Sequence, residues 1–431
     1  MRPARCRYRG GKRPAVNAIL QRYTTALQYR DFRWVWLGSL AGQSAYWALI
    51  VARGALVLEM TGSSALVGVA TFAAMGPRFI MPPLAGFLAD RFDRRAILAI
   101  SYTLQFGHGV VLTALAFAGV LEVWHIIALS LLNGSFRTFQ MTATQTLIPN
   151  VVGREHWLNA IALNQASLQG ARLVGPLLIL PALWYGAAPA FLVSTAFYAV
   201  GIAGILAVHV RSTGDLQRGS AFGASLWAAA KYAWSDPQLR SLFIIIALHC
   251  SMTMSFESML PVLARDSLGN AELGTGFLMM GVGAGALVGV MGIAGVQSAA
   301  GRGRLLLLTG ALSGVGMPVV AVAATPAVAL VGAAIMGGSQ AAFMAIGGAM
   351  VQSLAPEGMR GRITGLNQIN IGGTMAVVNL VNGFAADEFG APTVLWTLGM
   401  GFLLIVALSL AVGAMRGIYG GAIPIPIRRP A

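Results

Sequence analysis

The chain of 431 residues is poor in charge and in cysteine. Only 10% of its residues are Asp, Glu, Lys or Arg, whereas about 25% of a typical soluble domain is charged. So few charges cannot cover a surface that faces water. The two cysteines, Cys6 and Cys250, lie in a basic tail and in a hydrophobic run, so neither a disulfide nor redox chemistry is expected.

The sequence also lacks the patterns that mark enzymes and cofactor sites. It has no H-x-x-x-H, C-x-x-C or P-loop pattern, and the glycine-rich segment 281–289 follows no predicted strand, as a dinucleotide fingerprint requires. No short apolar core with a cleavage site follows the basic N-terminus, so no removable signal peptide is predicted. We therefore expect a protein that is not an enzyme and that binds no cofactor and no metal.

Long hydrophobic runs are the dominant feature of the chain. Hydrophobic residues make up 57% of the sequence, and the mean hydropathy is +0.72. A membrane helix needs about 20 mainly apolar residues, which makes the chain an all-α membrane protein. Twelve spans are the most economical interpretation, although hydropathy alone also fits ten or eleven. They are predicted near 33–58, 64–89, 96–119, 124–147, 158–180, 188–209, 239–262, 273–297, 304–324, 326–350, 363–386 and 391–415.

The placement of charge orients these spans. Of the 29 Lys and Arg residues, 24 lie in the two tails, in alternate loops or at the span ends beside them. The opposite loops have only Arg265, together with the acids Glu122, Asp266, Glu272, Asp387 and Glu388. Because basic loops stay in the cytoplasm, both termini are predicted to be cytoplasmic in a multi-pass protein of the bacterial inner (plasma) membrane. The net charge of +15 is then mostly a matter of topology, and no nucleic-acid partner is expected.

A polar stretch divides the spans into two groups of six, an arrangement typical of transporters. The predicted parts are a basic N-terminal tail (1–31), an N-terminal half (32–209), a cytoplasmic linker (210–238), a C-terminal half (239–415) and a C-terminal tail (416–431). Part of the linker has helical spacing of apolar residues and can form an amphipathic helix on the membrane face. A plain linker is the alternative.

The loop between the second and third spans carries a familiar motif. Its matching residues are Gly86, Leu88, Asp90, Arg91, Arg94 and Arg95. They resemble the G-x-L-A-D-R-x-G-R-K motif of the major facilitator superfamily. The segments 59–68, 147–165, 171–177, 259–269 and 360–368 agree with the enterobactin-exporter and drug-efflux branch of that superfamily. The resemblance covers about residues 32–413 and implies twelve helices in two six-helix halves that rock by alternating access.

Several positions depart from the family patterns. Asp93 replaces the second glycine of the loop motif, a substitution that resembles the branch of drug and siderophore exporters. Met141 replaces the glycine of the fourth-helix R-x-x-Q-G antiporter motif, and Leu178 and Ile179 stand where the fifth-helix signature commonly has glycines. These losses of glycine argue against ordinary drug antiport without affecting the fold. The function that we expect is proton-coupled export of a small amphiphilic or anionic metabolite, such as a siderophore, by a monomer in contact with membrane lipid. Multidrug efflux, movement of lysolipid between leaflets, and a non-transporting sensor or scaffold are the alternatives.

The loop motif also predicts a gate. By resemblance, Asp90 is the residue that pins the cytoplasmic side in the outward-open state, with Arg91 and Arg94 beside it. The full predicted gating set is Gly86, Asp90, Arg91, Arg94 and Arg95.

Four arginines fall within the spans of the N-terminal half, which has few internal acids. They are Arg53, Arg78, Arg137 and Arg172. A charge at the centre of a membrane helix costs about 2.5–3.5 kcal/mol on insertion scales, so these side chains need a cavity, a partner or an aqueous end. They predict a positive cavity suited to carboxylate, phosphate or catecholate. The alternative is that they bond to backbone carbonyls or extend to the interface.

Helical spacing adds polar stripes on the spans that line the central path in the superfamily. The predicted substrate-binding residues, besides the arginines, are Gln43, Tyr46, Gln140, His249, Gln340 and Phe343. Glu257 on the seventh span is the predicted proton-coupling residue, because burial favours a neutral carboxyl and a nearby arginine favours an ionised one. A static pair with Arg265 is the alternative for Glu257, and the two span histidines can be ordinary satisfied polar groups.

Overall fold

A computed structural model describes residues 25–210, 212, 222–293, 296, 298–356 and 359–421, apart from the side chains of Asp90, Arg154, Leu158 and residues 222–226. Most of the basic N-terminal tail, most of the linker and the end of the C-terminal tail lie outside these residues. The described part is helical, with two short 3-10 turns at Thr25–Gln28 and Arg154–His156. The all-helical fold class is confirmed. The predicted division into five parts stays a prediction.

Seventeen α-helices follow one another along the described ranges. They are α1 (Arg30–Thr61), α2 (Ser64–Met75), α3 (Pro77–Ile80), α4 (Pro82–Arg91), α5 (Arg94–Phe117), α6 (Val123–Val151), α7 (Trp157–Leu183), α8 (Ala187–Leu206), α9 (Phe222–Ser235), α10 (Pro237–Met252), α11 (Leu260–Leu268), α12 (Ala271–Ile293), α13 (Ala299–Ala321), α14 (Pro326–Leu354), α15 (Arg360–Phe389), α16 (Ala391–Ser409) and α17 (Gly413–Gly420).

Nine of these helices are long and apolar enough to cross a membrane, or ten if the bent helices of the second span count as one. The predicted number of twelve is therefore not reproduced in full within the described residues. The differences fall at the fourth and seventh predicted spans. Helix α6 has 29 residues but carries many buried polar side chains, and α10 has only 16 residues before the seventh span breaks.

The second predicted span is bent by 51° between Ser64–Ile80 and Pro82–Ala89. Pro82 and Pro83 begin α4, and a proline has no backbone N–H to continue the hydrogen bonds of the preceding helix. The bend tilts α4 relative to α2. Since α4 leads to the basic loop at Arg91, the bend sets the path of the helix that carries the predicted gating motif.

The helices pack closely both within each half and between the halves. In the N-terminal half α1 packs on α7 and α8, and in the C-terminal half α14 packs on α12 and α13. The two halves meet where α2 packs on α15 and α7 packs on α12. A Cβ on Gly68 would lie 3.1 Å from the Asn379 carbonyl oxygen, and one on Gly283 would lie 2.5 Å from the Leu173 nitrogen. Glycine permits this close approach of backbones.

One carboxylate joins the two halves at the loops that hold the predicted extracellular acids, here called the acidic face. Asp387, near the end of α15, accepts hydrogen bonds at 2.5 Å from the Ser63 hydroxyl, at 2.5 Å from the Ser64 N–H and at 3.1 Å from the Ala65 N–H. These donors form the N-terminus of α2, where backbone N–H groups have no partner within the helix. The C-terminal half therefore caps a helix of the N-terminal half.

Candidate functional site

Arg137 lies in the middle of α6 and is 3% exposed. Its guanidinium carbon is 3.4 Å from the centre of the Tyr46 ring, which is carried by the neighbouring helix α1. Its Nε and Nη1 atoms are buried and have no hydrogen-bond partner among the described residues. Stacking on an aromatic face fixes the plane of the guanidinium. The structure therefore holds a cation with two unused donors.

Two further arginines lie near Arg137. The Arg172 guanidinium of α7 is 4.3 Å from the Trp47 ring centre, and Arg78 of α3 is half-buried. The charges of Arg78 and Arg172 both act on Arg137. Three of the four predicted arginines thus form one positive group between α1, α3, α6 and α7, which we call the arginine group (Arg78, Arg137 and Arg172).

The fourth arginine has partners of its own. Arg53 on α1 donates from Nη1 to the Ser130 hydroxyl at 2.6 Å and from Nε to the Leu49 carbonyl at 3.1 Å. The bond to Ser130 ties α1 to α6 inside the N-terminal half, and the bond to Leu49 lies within α1. Arg53 therefore has the geometry of a packing residue, and the structure does not bring it into the arginine group.

Glu257 supplies a negative charge opposite the arginine group. It is 3% exposed, and its Oε2 atom accepts a hydrogen bond from Asn379 Nδ2 at 2.9 Å. Arg172 and Arg78 act on it electrostatically, but no ion pair within 4.0 Å involves it among the described residues. Arg172 belongs to the N-terminal half and Glu257 to the C-terminal half, so this interaction crosses between the halves.

Glu257 lies in a break of the seventh span. Helix α10 ends at Met252, and α11 begins at Leu260. Backbone polar groups in a membrane need a partner inside the protein, and amide side chains from other helices supply several of them. Gln340 donates to the Thr253 carbonyl at 2.5 Å, Asn382 donates to the Ser255 carbonyl at 2.5 Å, and the Ser258 N–H donates to Asn379 Oδ1 at 3.2 Å.

This break was not predicted, because the run 239–262 was interpreted as one helix. The local signal was the cluster of Ser, Thr and Glu at 251–258, which is unusual inside an apolar run. Gln340 was predicted to bind substrate. In the structure its side-chain Nε2 atom donates to the Thr253 carbonyl in the break.

The other predicted residues of the N-terminal half lie in a buried polar layer. Gln140 accepts a hydrogen bond from Gln105 Nε2 at 3.3 Å and donates to the Tyr102 hydroxyl at 3.1 Å. Gln43 is 2% exposed. The Gln43 Oε1 atom and the Tyr46 hydroxyl have no hydrogen-bond partner among the described residues. Unused polar atoms therefore accompany the unused donors of Arg137.

His249 and Phe343 form a separate cluster in the C-terminal half. Their rings are stacked with centres 4.0 Å apart, and Phe402 packs edge-on against both. His249 Nε2 lies 3.1 Å from the Ser313 hydroxyl. The structure thus places these two predicted substrate-binding residues in a packed aromatic cluster rather than in the arginine group.

The predicted gating motif lies at the other end of the bundle, here called the basic face. Arg94 donates to the carbonyls of Ala89 at 3.2 Å and Thr146 at 3.0 Å, and Arg95 donates to the Leu206 carbonyl at 3.0 Å. The motif thereby connects the ends of α4, α6 and α8. Gly86 lies within α4 with open space around it. Arg91 lies 5.5 Å from the Phe87 ring centre. The Asp90 side chain is outside the described part of the chain.

Asp93, the residue that departs from the family motif, has a defined role in this loop. Its Oδ1 atom accepts from the Arg95 N–H at 3.0 Å and so caps α5. The same atom accepts from the Ser212 N–H at 3.2 Å. The acid therefore fixes the start of α5 and the beginning of the linker, a function that glycine cannot perform.

Comparison with known proteins identifies relatives along nearly the whole chain. A family profile described as transmembrane secretion effector, of the major facilitator type, matches residues 24–417. The multidrug efflux pump Tap of Mycolicibacterium fortuitum is 26% identical over 383 residues, which cover 85% of this chain and 92% of that protein. The enterobactin exporter EntS of Shigella boydii serotype 4 (strain Sb227) is 25% identical over 393 residues, covering 88% and 91%.

Solved transporters share the fold. The crystal structure of the nucleoside transporter NupG superposes with a TM-score of 0.71 at 12% identity, covering 90% of this chain and 99% of that one. The human organic anion transporter MFSD10 (TETRAN) gives a TM-score of 0.64 at 16% identity, covering 88% and 98%. At these identities the likeness concerns the fold alone.

Proposed function

Since the chain belongs to the transmembrane secretion effector family of the major facilitator superfamily, we propose that it is a secondary active exporter of a small anionic or amphiphilic metabolite. A siderophore-like catecholate or carboxylate is the substrate class that fits best. The efflux relatives support the direction of transport. Under the positive-inside rule the basic face is the proposed cytoplasmic face. We propose that the protein lies in the bacterial plasma membrane with both termini inside.

The proposed substrate class rests on one observation, which is that the buried guanidinium of Arg137 lacks hydrogen-bond partners among the described residues. A buried polar group without a partner costs free energy, and this guanidinium has two such donors while Tyr46 fixes its plane. The Nε–H and Nη1–H bonds point to different sides of the guanidinium, so an anionic oxygen can accept from either donor, and such a charge-assisted hydrogen bond is stronger than a neutral one. Arg172 and Arg78 add positive charge at the same place. The arginine group is therefore the proposed binding site.

Proton coupling is proposed at Glu257. If the halves rock by alternating access, the separation between Glu257 and Arg172 changes, since the two residues belong to different halves. An approaching arginine favours the ionised carboxylate, and separation favours the neutral acid. Opening of the acidic face would thus load a proton, and closure would release it towards the basic face. That sequence moves protons inward, as an exporter driven by the proton gradient requires.

Multidrug efflux is the second candidate. It is favoured by the printed name of the Mycolicibacterium fortuitum relative and by the aromatic rings of Tyr46 and Trp47 beside the arginine group. Aromatic faces bind cations as well as flat apolar molecules. The two candidate functions differ in the charge of the substrate, so the effect of substituting Arg137 distinguishes between them.

The experiment compares binding of 2,3-dihydroxybenzoate with binding of its neutral amide, 2,3-dihydroxybenzamide, to the purified protein. Arg137→Ala should weaken binding of the anion about ten- to a hundred-fold, because a hydrogen bond to a charged group contributes about 1.5–3 kcal/mol. Binding of the amide should change much less. Arg137→Lys should recover only part of the lost affinity, because lysine keeps the positive charge but lacks the planar set of N–H donors.

Arg53→Ala is the matched control, because it also removes a buried arginine of the N-terminal half. It should lower the thermal stability without a selective effect on the anion, since Arg53 already bonds to Ser130. Equal losses for anion and amide in Arg137→Ala would contradict the proposal and would assign Arg137 a structural role.

A further inference from the structure

A groove opens beside the bend of the second span, with a cavity volume of about 980 Å³. It lies between α2, α3 and α6 on one side and α9, α10 and α15 on the other. Apolar side chains such as Phe79, Leu132 and Val377 line most of it. Its volume is at the upper end of the roughly 300–1,000 Å³ that pockets for drug-sized ligands occupy. The groove separates the two halves along the lipid-facing side of the bundle.

The few polar groups in the wall are already satisfied by the protein. The Ser135 hydroxyl donates to the Leu131 carbonyl at 2.9 Å, and the Thr374 hydroxyl donates to the Asn370 carbonyl. The Asn370 amide donates to the Phe243 carbonyl at 3.1 Å. A wall whose donors are used internally offers no hydrogen bonds to an occupant, so it fits a hydrocarbon chain.

One of the short helices that line the groove also carries a positive charge. Pro77 and Phe79 line the groove, and the residue between them is Arg78, which makes no hydrogen bond or ion pair within the described part of the chain. Arg78 acts electrostatically on Arg137, Arg172 and Glu257. The short helix α3 therefore contributes Pro77 and Phe79 to the wall of the groove and Arg78 to the arginine group.

The outer end of the groove reaches the level of the linker. Trp234, near the end of α9, lines this end and is 63% exposed. Tryptophan prefers the interface between lipid and water, and α9 leads into the seventh span at the basic face. The groove thus extends from α9, at the level of the linker, to α3, the short helix that carries Arg78.

We propose that this groove holds the hydrocarbon tail of an anionic amphiphile, which enters from the inner leaflet and places its head group at Arg78 and the arginine group. The inference rests on the proposed function and narrows its substrate class to anions that carry an apolar tail. A hydrocarbon-lined wall suits the tail of such a molecule, and the unpaired Arg78 on the same short helix suits its anionic head group.

The test measures binding of radiolabelled hexadecanoate to the protein in lipid nanodiscs, after subtraction of the binding to empty nanodiscs. 2,3-Dihydroxybenzoate serves as the anion that has no hydrocarbon tail. Val377→Trp fills the groove, because Val377 lines it and is 53% exposed. Each buried methylene contributes roughly a four-fold factor in affinity. Displacing two or more methylenes of the tail should weaken hexadecanoate binding at least about ten-fold. The affinity for dihydroxybenzoate should stay within two-fold of that of the parent protein.

Val288→Trp is the matched control, since Val288 lies on α12, is 70% exposed and does not line the groove. It should change neither affinity. Ala230→Trp on α9 blocks the groove from the linker side and replaces Val377→Trp if that variant does not fold. Unchanged hexadecanoate binding in every groove variant that folds would overturn the inference and show that the groove holds only membrane lipid. The proposed function would still stand if dihydroxybenzoate binding depended on Arg137.

Discussion

Asp387→Asn tests how the two halves are held at the acidic face. The carboxylate accepts three hydrogen bonds from the start of α2. An asparagine at this position keeps the size of the side chain but loses the negative charge and one accepting oxygen. The contact crosses between the halves, so it exists only while the acidic face is closed. The substitution should therefore shift the conformational equilibrium towards the state that is open at that face.

The size of the shift follows from helix capping. Loss of a capping side chain costs about 0.5–2 kcal/mol, and a negative charge near a helix N-terminus adds roughly 0.3–1 kcal/mol at an exposed site. Asparagine retains part of the cap, and Asp387 is exposed to solvent. A net change of about 1–2 kcal/mol is expected, which is roughly a 5- to 30-fold change in the ratio of the two states.

The assay is a distance measurement by electron spin resonance in nanodiscs. Spin labels at positions 122 and 327 report on the acidic face, because Glu122 precedes α6 in one half and Ala327 lies in the first turn of α14 in the other. Both positions are exposed. Cys6 and Cys250 are first replaced by alanine. The population with the longer separation should increase in Asp387→Asn.

Asp266→Asn provides the matched control. Asp266 is also an acid at this face, but among the described residues its ion pair is with the neighbouring Arg265 at 3.0 Å and not with the other half. It should leave the distance distribution unchanged. A distribution in Asp387→Asn that matches the parent protein would refute the reasoning that this carboxylate stabilises the closed acidic face.

Three further predictions concern the proton and the loop at the basic face. Glu257→Gln should keep the bond to Asn379 but stop transport driven by a pH gradient, while exchange of substrate at equal pH continues; loss of both activities would contradict a specific role in proton coupling. Asp90→Asn should retain substrate affinity and slow turnover at equal expression, and normal turnover would remove Asp90 from the mechanism. Asp93→Ala should lower the free energy of unfolding by about 1 kcal/mol through loss of the α5 cap, measured by thermal unfolding, whereas an unchanged midpoint would show that the cap contributes little.

The fold was predictable because membrane spans leave a strong signal in hydropathy and in the placement of charge. The break of the seventh span was not, since its backbone is satisfied by Gln340 and Asn382 from distant helices. Such tertiary partners cannot be identified from local sequence. For the same reason the sequence could not separate Arg53, which bonds to Ser130, from Arg137, which keeps unused donors.

The roles of two loop acids, Asp93 and Asp387, also could not be predicted from the sequence. Asp93 was identified only as a departure from a family motif, and Asp387 only as an acid in an outer loop. The structure shows that each caps a helix, and Asp387 does so across the two halves. A capping role depends on which helix begins nearby in space, and that information arises only from the packing.

The central claim, proton-driven export of an anion, is tested most directly by accumulation in inverted membrane vesicles. Labelled catecholate siderophore, a cationic drug and a lysolipid are compared under an imposed gradient with the vesicle interior acidic, using the parent protein, Arg137→Ala and Glu257→Gln. The account predicts gradient-dependent accumulation of the anionic siderophore by the parent protein alone. Accumulation of the cationic drug that is unaffected by Arg137→Ala, with no accumulation of the siderophore, would contradict it.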